Sequence, residues 1–153
     1  MLSIYKASAG SGKTYTLTRE YLRMLLLDKP LPDDKRLPHS RILAVTFTKK
    51  STAEMKERIL RELYILATKT NTSEYINDFL SDNNISLNID QIQQRAQALL
   101  IGILQDYTRF SVSTIDGFFQ QVIRSFAKEL GLSATYDVSL DSEEIVQQAV
   151  DDL

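Results

Sequence analysis

The segment Leu2-Ser3-Ile4-Tyr5-Lys6-Ala7-Ser8-Ala9-Gly10-Ser11-Gly12-Lys13-Thr14 decides how the rest of the chain is read. Residues 2–5 are short and apolar enough for a buried strand, and they run directly into a glycine-rich turn ending Gly-Lys-Thr. The pattern G-x-x-x-x-G-K-[ST] is a phosphate-binding loop: backbone N–H groups surround the phosphates, the lysine reaches the β/γ oxygens and the hydroxyl binds Mg²⁺. Ala7 stands where the pattern has its first glycine, a position that starts the turn and tolerates a small residue. Gly10 and Gly12 permit the close backbone approach and positive φ that a side chain obstructs. A helix beginning near Thr14 aims its N–H groups and the positive end of its dipole at the bound anion. The candidate nucleotide-binding residues are therefore Ala7, Ser8, Ala9, Gly10, Ser11, Gly12, Lys13 and Thr14, with the Thr14 hydroxyl also the Mg²⁺ ligand.

The loop does not fix the reaction, because kinases, GTPases, transporters and helicases all use it. At 153 residues the chain has the size of one domain with one core. Its 43% hydrophobic and 25% charged residues are ordinary for a globular protein. Without cysteine there is no disulfide or thiolate metal site, which suits a reducing compartment. The longest apolar run, Ala98 to Leu104, is too short to span a bilayer, and Lys6 interrupts any signal-peptide reading. A cytoplasmic protein with no membrane partner is the expectation. Net charge is only −2, but between Arg41 and Arg61 lie Lys49, Lys50, Lys56 and Arg58, opposed only by Glu54 and Glu57.

Downstream of Thr14, Leu17, Tyr21, Met24 and Leu25 mark a helical face that Leu22, Leu26 and Leu27 widen. Pro30, Pro32, Asp33, Asp34 and Pro38 then require a loop, with His39 at its end as a surface residue without a role. The apolar run Arg41 to Phe47 reads as an inner strand of a parallel sheet covered on both faces. Strand, helix and strand make a βαβ unit that brings the phosphate loop and Thr46-Phe47-Thr48 to one edge. Ser51-Thr52-Ala53-Glu54 has a capping-box pattern, and Met55, Ile59, Leu63 and Leu66 share one face of the helix it opens. Residues 68–90 read as an insertion with a short helix around Tyr75-Ile76 and Phe79-Leu80 and a turn at Asp82-Asn83-Asn84. A helix follows from Asp90 to about Tyr107, then a strand from Phe110 to Ile115 with Asp116 capping a helix striped by Phe119, Val122, Ile123 and Phe126 that ends at Gly131. An extended piece at Tyr136–Leu140 and a helix from Ser142 complete the chain. That last helix reaches Leu153 without a stop signal, so a truncated protein is expected.

Three stretches in order, Ala7–Thr14, Ala44–Ile59 (AVTFTKKSTAEMKERI) and Thr114–Arg124 (TIDGFFQQVIR), resemble motifs I, Ia and Ic of superfamily 1A DNA helicases of the UvrD/Rep type, and most closely the RecB/AddA helicase–nuclease branch. The resemblance implies an α/β fold, a P-loop NTPase (RecA-like) parallel sheet with flanking helices, here an incomplete motor domain 1A over residues 1–130. Residues 131–153 would begin an accessory 1B-like helical region. It implies ATP and Mg²⁺ as cofactors; the candidate partners it implies are ATP, single-stranded DNA and a second helicase–nuclease subunit. Lys13 and Thr14 would hold the ATP phosphates and Mg²⁺, and Thr46, Phe47, Thr48, Lys50 and Thr114 would lie along the DNA path. Where the family usually has asparagine, two alanines and histidine, this chain has Lys49, Ser51-Thr52 and Asp116. Beyond Lys13 no catalytic residue of the family is matched, since the acidic motif II and the arginine fingers are missing, so the piece alone is expected to be inactive.

Two other functions fit the loop. One is a complete small phosphotransferase, a nucleotide or metabolite kinase, with Asp116 or Asp106 as the Mg²⁺ acid. In the other, a non-catalytic DNA- or partner-binding module, the loop is retained without turnover. Phe47 has a competing reading as a core residue, because aromatics at strand ends are commonly buried.

Overall fold

The computed structural model describes residues 12–27, 36–82, 85–127 and 150. The strand expected at 2–5, loop residues Ala7–Ser11, the Pro30–Asp34 segment, Asn83-Asn84, the helix end at Gly131, the 136–140 piece and the start of the helix at Ser142 lie outside the described residues. The chain divides into two compact units, Met1–Ile115 and Asp116–Leu153.

In the first unit, helix α1 (Lys13–Leu27) is followed by strand β1 (Ala44–Thr46), helix α2 (Lys49–Thr68), the short helix α3 (Ile76–Ser81), helix α4 (Ile89–Gln105) and strand β2 (Val112–Thr114). Helix α5 (Ile115–Phe126) leads into the second unit, where Phe118 and Phe119 meet edge to face at 5.6 Å. The fold is mixed α/β and mostly helical, with a two-stranded sheet among the described residues. That sheet is parallel, as expected, in the register Ala44↔Val112, Val45↔Ser113, Thr46↔Thr114. Parallel pairing needs a long crossover, and α2, α3 and α4 provide it.

The core lies among α1, α2 and α4. Met55, Ile59, Leu63 and Leu66 recur on one face of α2, as the periodicity predicts, and meet Ile92, Ala96, Leu99 and Ile103 of α4. Each fully buried leucine or isoleucine contributes about 1.5–3 kcal/mol by leaving water. A capping box starts α4: the Gln91 N–H donates to Asn88 Oδ1 at 2.9 Å, and the Asn88 N–H donates to Gln91 Oε1 at 3.0 Å. Tyr75 and Phe79, around the short helix expected in the 68–90 segment, are fully buried in the same core.

Three expectations need correction. The buried face of α1 is Thr18, Tyr21, Leu22, Leu25 and Leu26, while Leu17 and Met24 are about half exposed. A helix apolar on most sides does not declare which stripe its neighbours cover. Next, the run Arg41–Phe47 yields a strand of only three residues, because Pro38–Arg41 forms a 3₁₀ turn that takes up its start. Leu43 and Val45 are exposed, so among the described residues β1 is not covered on both faces. Third, α2 starts at Lys49 with Thr48 as its N-cap, not at Ser51.

Candidate functional site

Gly12 has φ +76°, and its carbonyl accepts the Thr16 N–H at 2.9 Å, so the chain turns at Gly12 and is helical from Lys13. A Cβ here would meet nothing closer than Tyr15 Cβ at 4.0 Å; glycine is demanded by the backbone angle, not by space. Lys13 and Thr14 are exposed on the first turn of α1, which carries no acidic residue to offset the positive end of its dipole. A cleft of about 200 Å³ is lined by Thr14 together with Glu54, Glu57, Arg58 and Arg61 of α2.

The second cluster forms at the C-terminal ends of the two strands, where the register sets Thr46 beside Thr114. The Thr46 hydroxyl lies 2.6 Å from that of Thr52 and also donates to the Thr48 carbonyl at 3.1 Å. Thr48 Oγ1 accepts the Ser51 N–H at 3.0 Å and donates to Ser51 Oγ at 2.9 Å. The hydroxyls of Thr46 and Thr48, both expected along a DNA path, are thus engaged in starting α2. Between them Phe47 is 88% exposed, which removes its reading as a core residue. Lys49 and Lys50 follow, both exposed, with Lys50 Nζ 4.0 Å from Glu54 Oε1.

Other cations of the basic segment turn inward. Lys56 Nζ sits over the rings of Tyr107 at 5.3 Å and Phe110 at 5.8 Å. Burial, the larger effect, pushes the Tyr75 hydroxyl pKa up while the nearby Arg58 guanidinium opposes it, although no hydrogen bond of normal geometry reaches that hydroxyl.

The UvrD/REP helicase N-terminal domain model matches residues 3–153. The chain belongs to this family. Among similar proteins, the RecBCD enzyme subunit RecB of Escherichia coli strain K12 is 35% identical over 133 residues, covering 84% of this chain and 11% of that protein. The RecBCD enzyme subunit RecB of Haemophilus influenzae is 29% identical over 153 residues, 95% of this chain and 12% of that protein. An ATP-dependent helicase/nuclease subunit from Lactobacillus johnsonii is 30% identical over 138 residues, 90% and 9% respectively. The chain therefore spans about a tenth of the length of these relatives. No solved structure matches it.

Two features of this UvrD/REP N-terminal chain escape sequence reasoning. His39, expected at the surface, is 1% exposed, and its Nε2 lies 3.2 Å from the Asp106 carbonyl oxygen. The helical span of α4 determines this contact, since Asp106 is its C-cap. Glu62 is also 1% exposed, on the buried face of α2, and its Oε2 accepts the Ser73 hydroxyl at 3.3 Å. Burial pushes its carboxyl pKa up, opposed by the Ser73 hydrogen bond and by Arg61 and Arg58, and reinforced by Glu74. Its place one residue before Leu63 in the apolar stripe is the signal that could have found it.

Neither candidate acid of the kinase reading stands free at a strand end. Asp106 closes α4, because the run Leu99–Leu104 is helical. Asp116 is exposed in the first turn of α5, where an anion complements the dipole, and does not precede the helix as an N-cap.

Proposed function

We propose that the chain is the ATP-binding N-terminal part of an ATP-dependent DNA helicase or helicase–nuclease subunit that works on single-stranded DNA in recombination and repair. The observation that carries this reading is the passage from Gly12, at positive φ, straight into a helix whose first residues are the exposed Lys13 and Thr14, with no acidic residue in that first turn. A polyphosphate suits that end on three counts: orphan N–H groups, dipole and ammonium. Lys13 would reach the β/γ oxygens and Thr14 would ligate Mg²⁺, with Ala7–Ser11 completing the loop. Two of the relatives' names, RecBCD enzyme subunit RecB and helicase/nuclease subunit, support the cytoplasm as location and a partner in the form of a second subunit. No described helix is long and apolar enough to cross a membrane.

The DNA reading rests on the strand-end cluster of Thr46, Phe47, Thr48, Lys50 and Thr114. Phe47 offers an exposed ring for a base, and the neighbouring lysines offer charge for phosphates. Asp106 and Asp116 lie in helical ends, where neither is set to orient an attacking water, so the chain alone binds nucleotide with turnover near background. Calorimetry with Mg-ADP tests the core of the proposal. Lys13→Ala should abolish binding; equal affinity for wild type and variant would overturn it.

A further inference from the structure

The helix that begins at Lys13 is gripped on one side by the 73–82 segment. Tyr15, one residue after Thr14, stacks its ring on Tyr75 with centroids 4.5 Å apart. The Tyr15 hydroxyl donates to the Glu74 carbonyl at 3.2 Å and to Asp78 Oδ2 at 3.4 Å. One turn along, Arg19 Nη1 reaches the same Asp78 Oδ2 at 3.5 Å, and one turn further Arg23 pairs with Asp82. Positions 15, 19 and 23 recur every four residues, so the three contacts form a single stripe along α1. Beneath it Tyr75 and Phe79 are fully buried, with ring centroids 6.2 Å apart.

Energetics divides the labour within this stripe. The two aromatic rings hold α3 in the core by removing apolar surface from water. The Arg19–Asp78 pair is about a third exposed on each side and adds little stability of that kind. What the polar contacts do supply is register. Asp78 is shared between Tyr15 and Arg19, and a slide of α3 along α1 by one residue would break both of its contacts. Tyr15 is covalently two residues from Lys13, so the first turn of α1 is fixed at the end that meets the phosphates.

We propose that the 73–82 segment is a positioning clamp for the phosphate loop, in which Asp78 and Tyr75 hold Tyr15 so that nucleotide binding at Lys13-Thr14 and docking of α3 on α1 strengthen one another. The inference rests on the nucleotide-site reading given above. Such coupling is reciprocal: if the docked clamp favours nucleotide, nucleotide favours the docked clamp by the same factor.

The test uses the full chain, with Mg-ADP as the probe. Tyr15→Phe keeps the ring and removes the hydroxyl contacts, and Asp78→Asn removes the shared carboxylate. Each should weaken Mg-ADP binding by about threefold to tenfold, the effect of one lost hydrogen bond, with helix content unchanged. Asp78→Glu, which keeps the carboxylate, should regain most of the affinity. Tyr75→Phe, which keeps the stack and removes a hydroxyl that makes no hydrogen bond, should bind as wild type does. Hydrogen exchange adds a readout that a merely structural role does not move. Mg-ADP should slow exchange of the α3 amides in wild type, and Asp78→Asn should lose that protection while keeping protection of the α2–α4 core. Wild-type binding with unchanged affinity in Tyr15→Phe and Asp78→Asn, and no nucleotide-dependent protection of α3, would overturn the clamp alone. Absence of Mg-ADP binding in wild type would overturn the site reading and the clamp with it.

Discussion

Replacing Thr48 separates two roles that the sequence runs together. Its hydroxyl accepts the Ser51 N–H at 3.0 Å and so satisfies one of the orphan donors at the start of α2. This helix supplies Met55, Ile59, Leu63 and Leu66 to the core, so its fraying costs global stability. Loss of a threonine cap costs about 1 kcal/mol, within a range of about 0.5–2. The accompanying bond to Ser51 Oγ is exposed and adds little to that figure. For a chain of this size about 1 kcal/mol corresponds to roughly 2–4 °C in Tm. Urea unfolding followed by far-ultraviolet circular dichroism should therefore show Thr48→Ala with a lower midpoint and an unchanged slope. Thr48→Asn, with an equally good capping side chain, should keep the wild-type midpoint. Ser51→Ala should cost less than Thr48→Ala, because its hydroxyl caps nothing. If Ser51→Ala carried the larger loss, or if Thr48→Ala stayed within about 0.3 kcal/mol of wild type, the cap assignment would be wrong.

Two further outcomes follow from the same geometry. Phe47→Ala should leave stability unchanged, because the ring is 88% exposed, and should weaken single-stranded DNA binding by about 1–3 kcal/mol where a base stacks on it; fluorescence anisotropy with a labelled oligonucleotide would sink the stacking role by showing equal affinity. Burial raises the Glu62 pKa, so the folded chain holds that proton more tightly than the unfolded one. The stabilisation is complete below the ordinary carboxylate range, falls as pH rises to the raised folded value, and is absent above it. Glu62→Gln should flatten that slope and match or exceed wild-type stability at neutral pH, and parallel urea midpoints for the two proteins across the acid range would refute it.

How much of this could be read from residues alone depends on how far each signal is local. Periodicity located α2 and α4 and their buried faces, since apolar positions at helical spacing leave one face to bury. The parallel pairing of β1 with β2 was also legible, because a strand, a long helical crossover and a second strand allow little else. The cap of α2 was misplaced: Ser51 and Thr48 both carry hydroxyls, and only the backbone at Thr48, with φ −125° and ψ 150°, identifies the non-helical residue. His39 and Glu62 were not legible. Each is buried by partners distant in sequence, Asp106 for His39 and Ser73 for Glu62, and no local pattern encodes such a pairing. The phosphate turn was legible at Gly12, where the pattern demanded positive φ and the backbone has it.

The turn from Thr46 to Lys50 makes two local choices that cost stability. An exposed phenylalanine leaves apolar surface in water, and two lysines in a first helical turn oppose the positive end of the dipole by about 0.3–1 kcal/mol each. The threonine hydroxyls around them are meanwhile fully used in capping, so the turn is well built and its two costly residues are not a consequence of disorder in its design. Local inconsistency confined to one place in an otherwise consistent sequence marks function. A ligand with a flat face and a negative charge resolves both costs at once, and a nucleotide of a single strand has both. Because the hydroxyls are spent, recognition on this reading falls to the Phe47 ring and to charge. Neither of these reads base edges, so binding at this turn should be tolerant of sequence and sensitive to salt, as movement along an arbitrary strand requires.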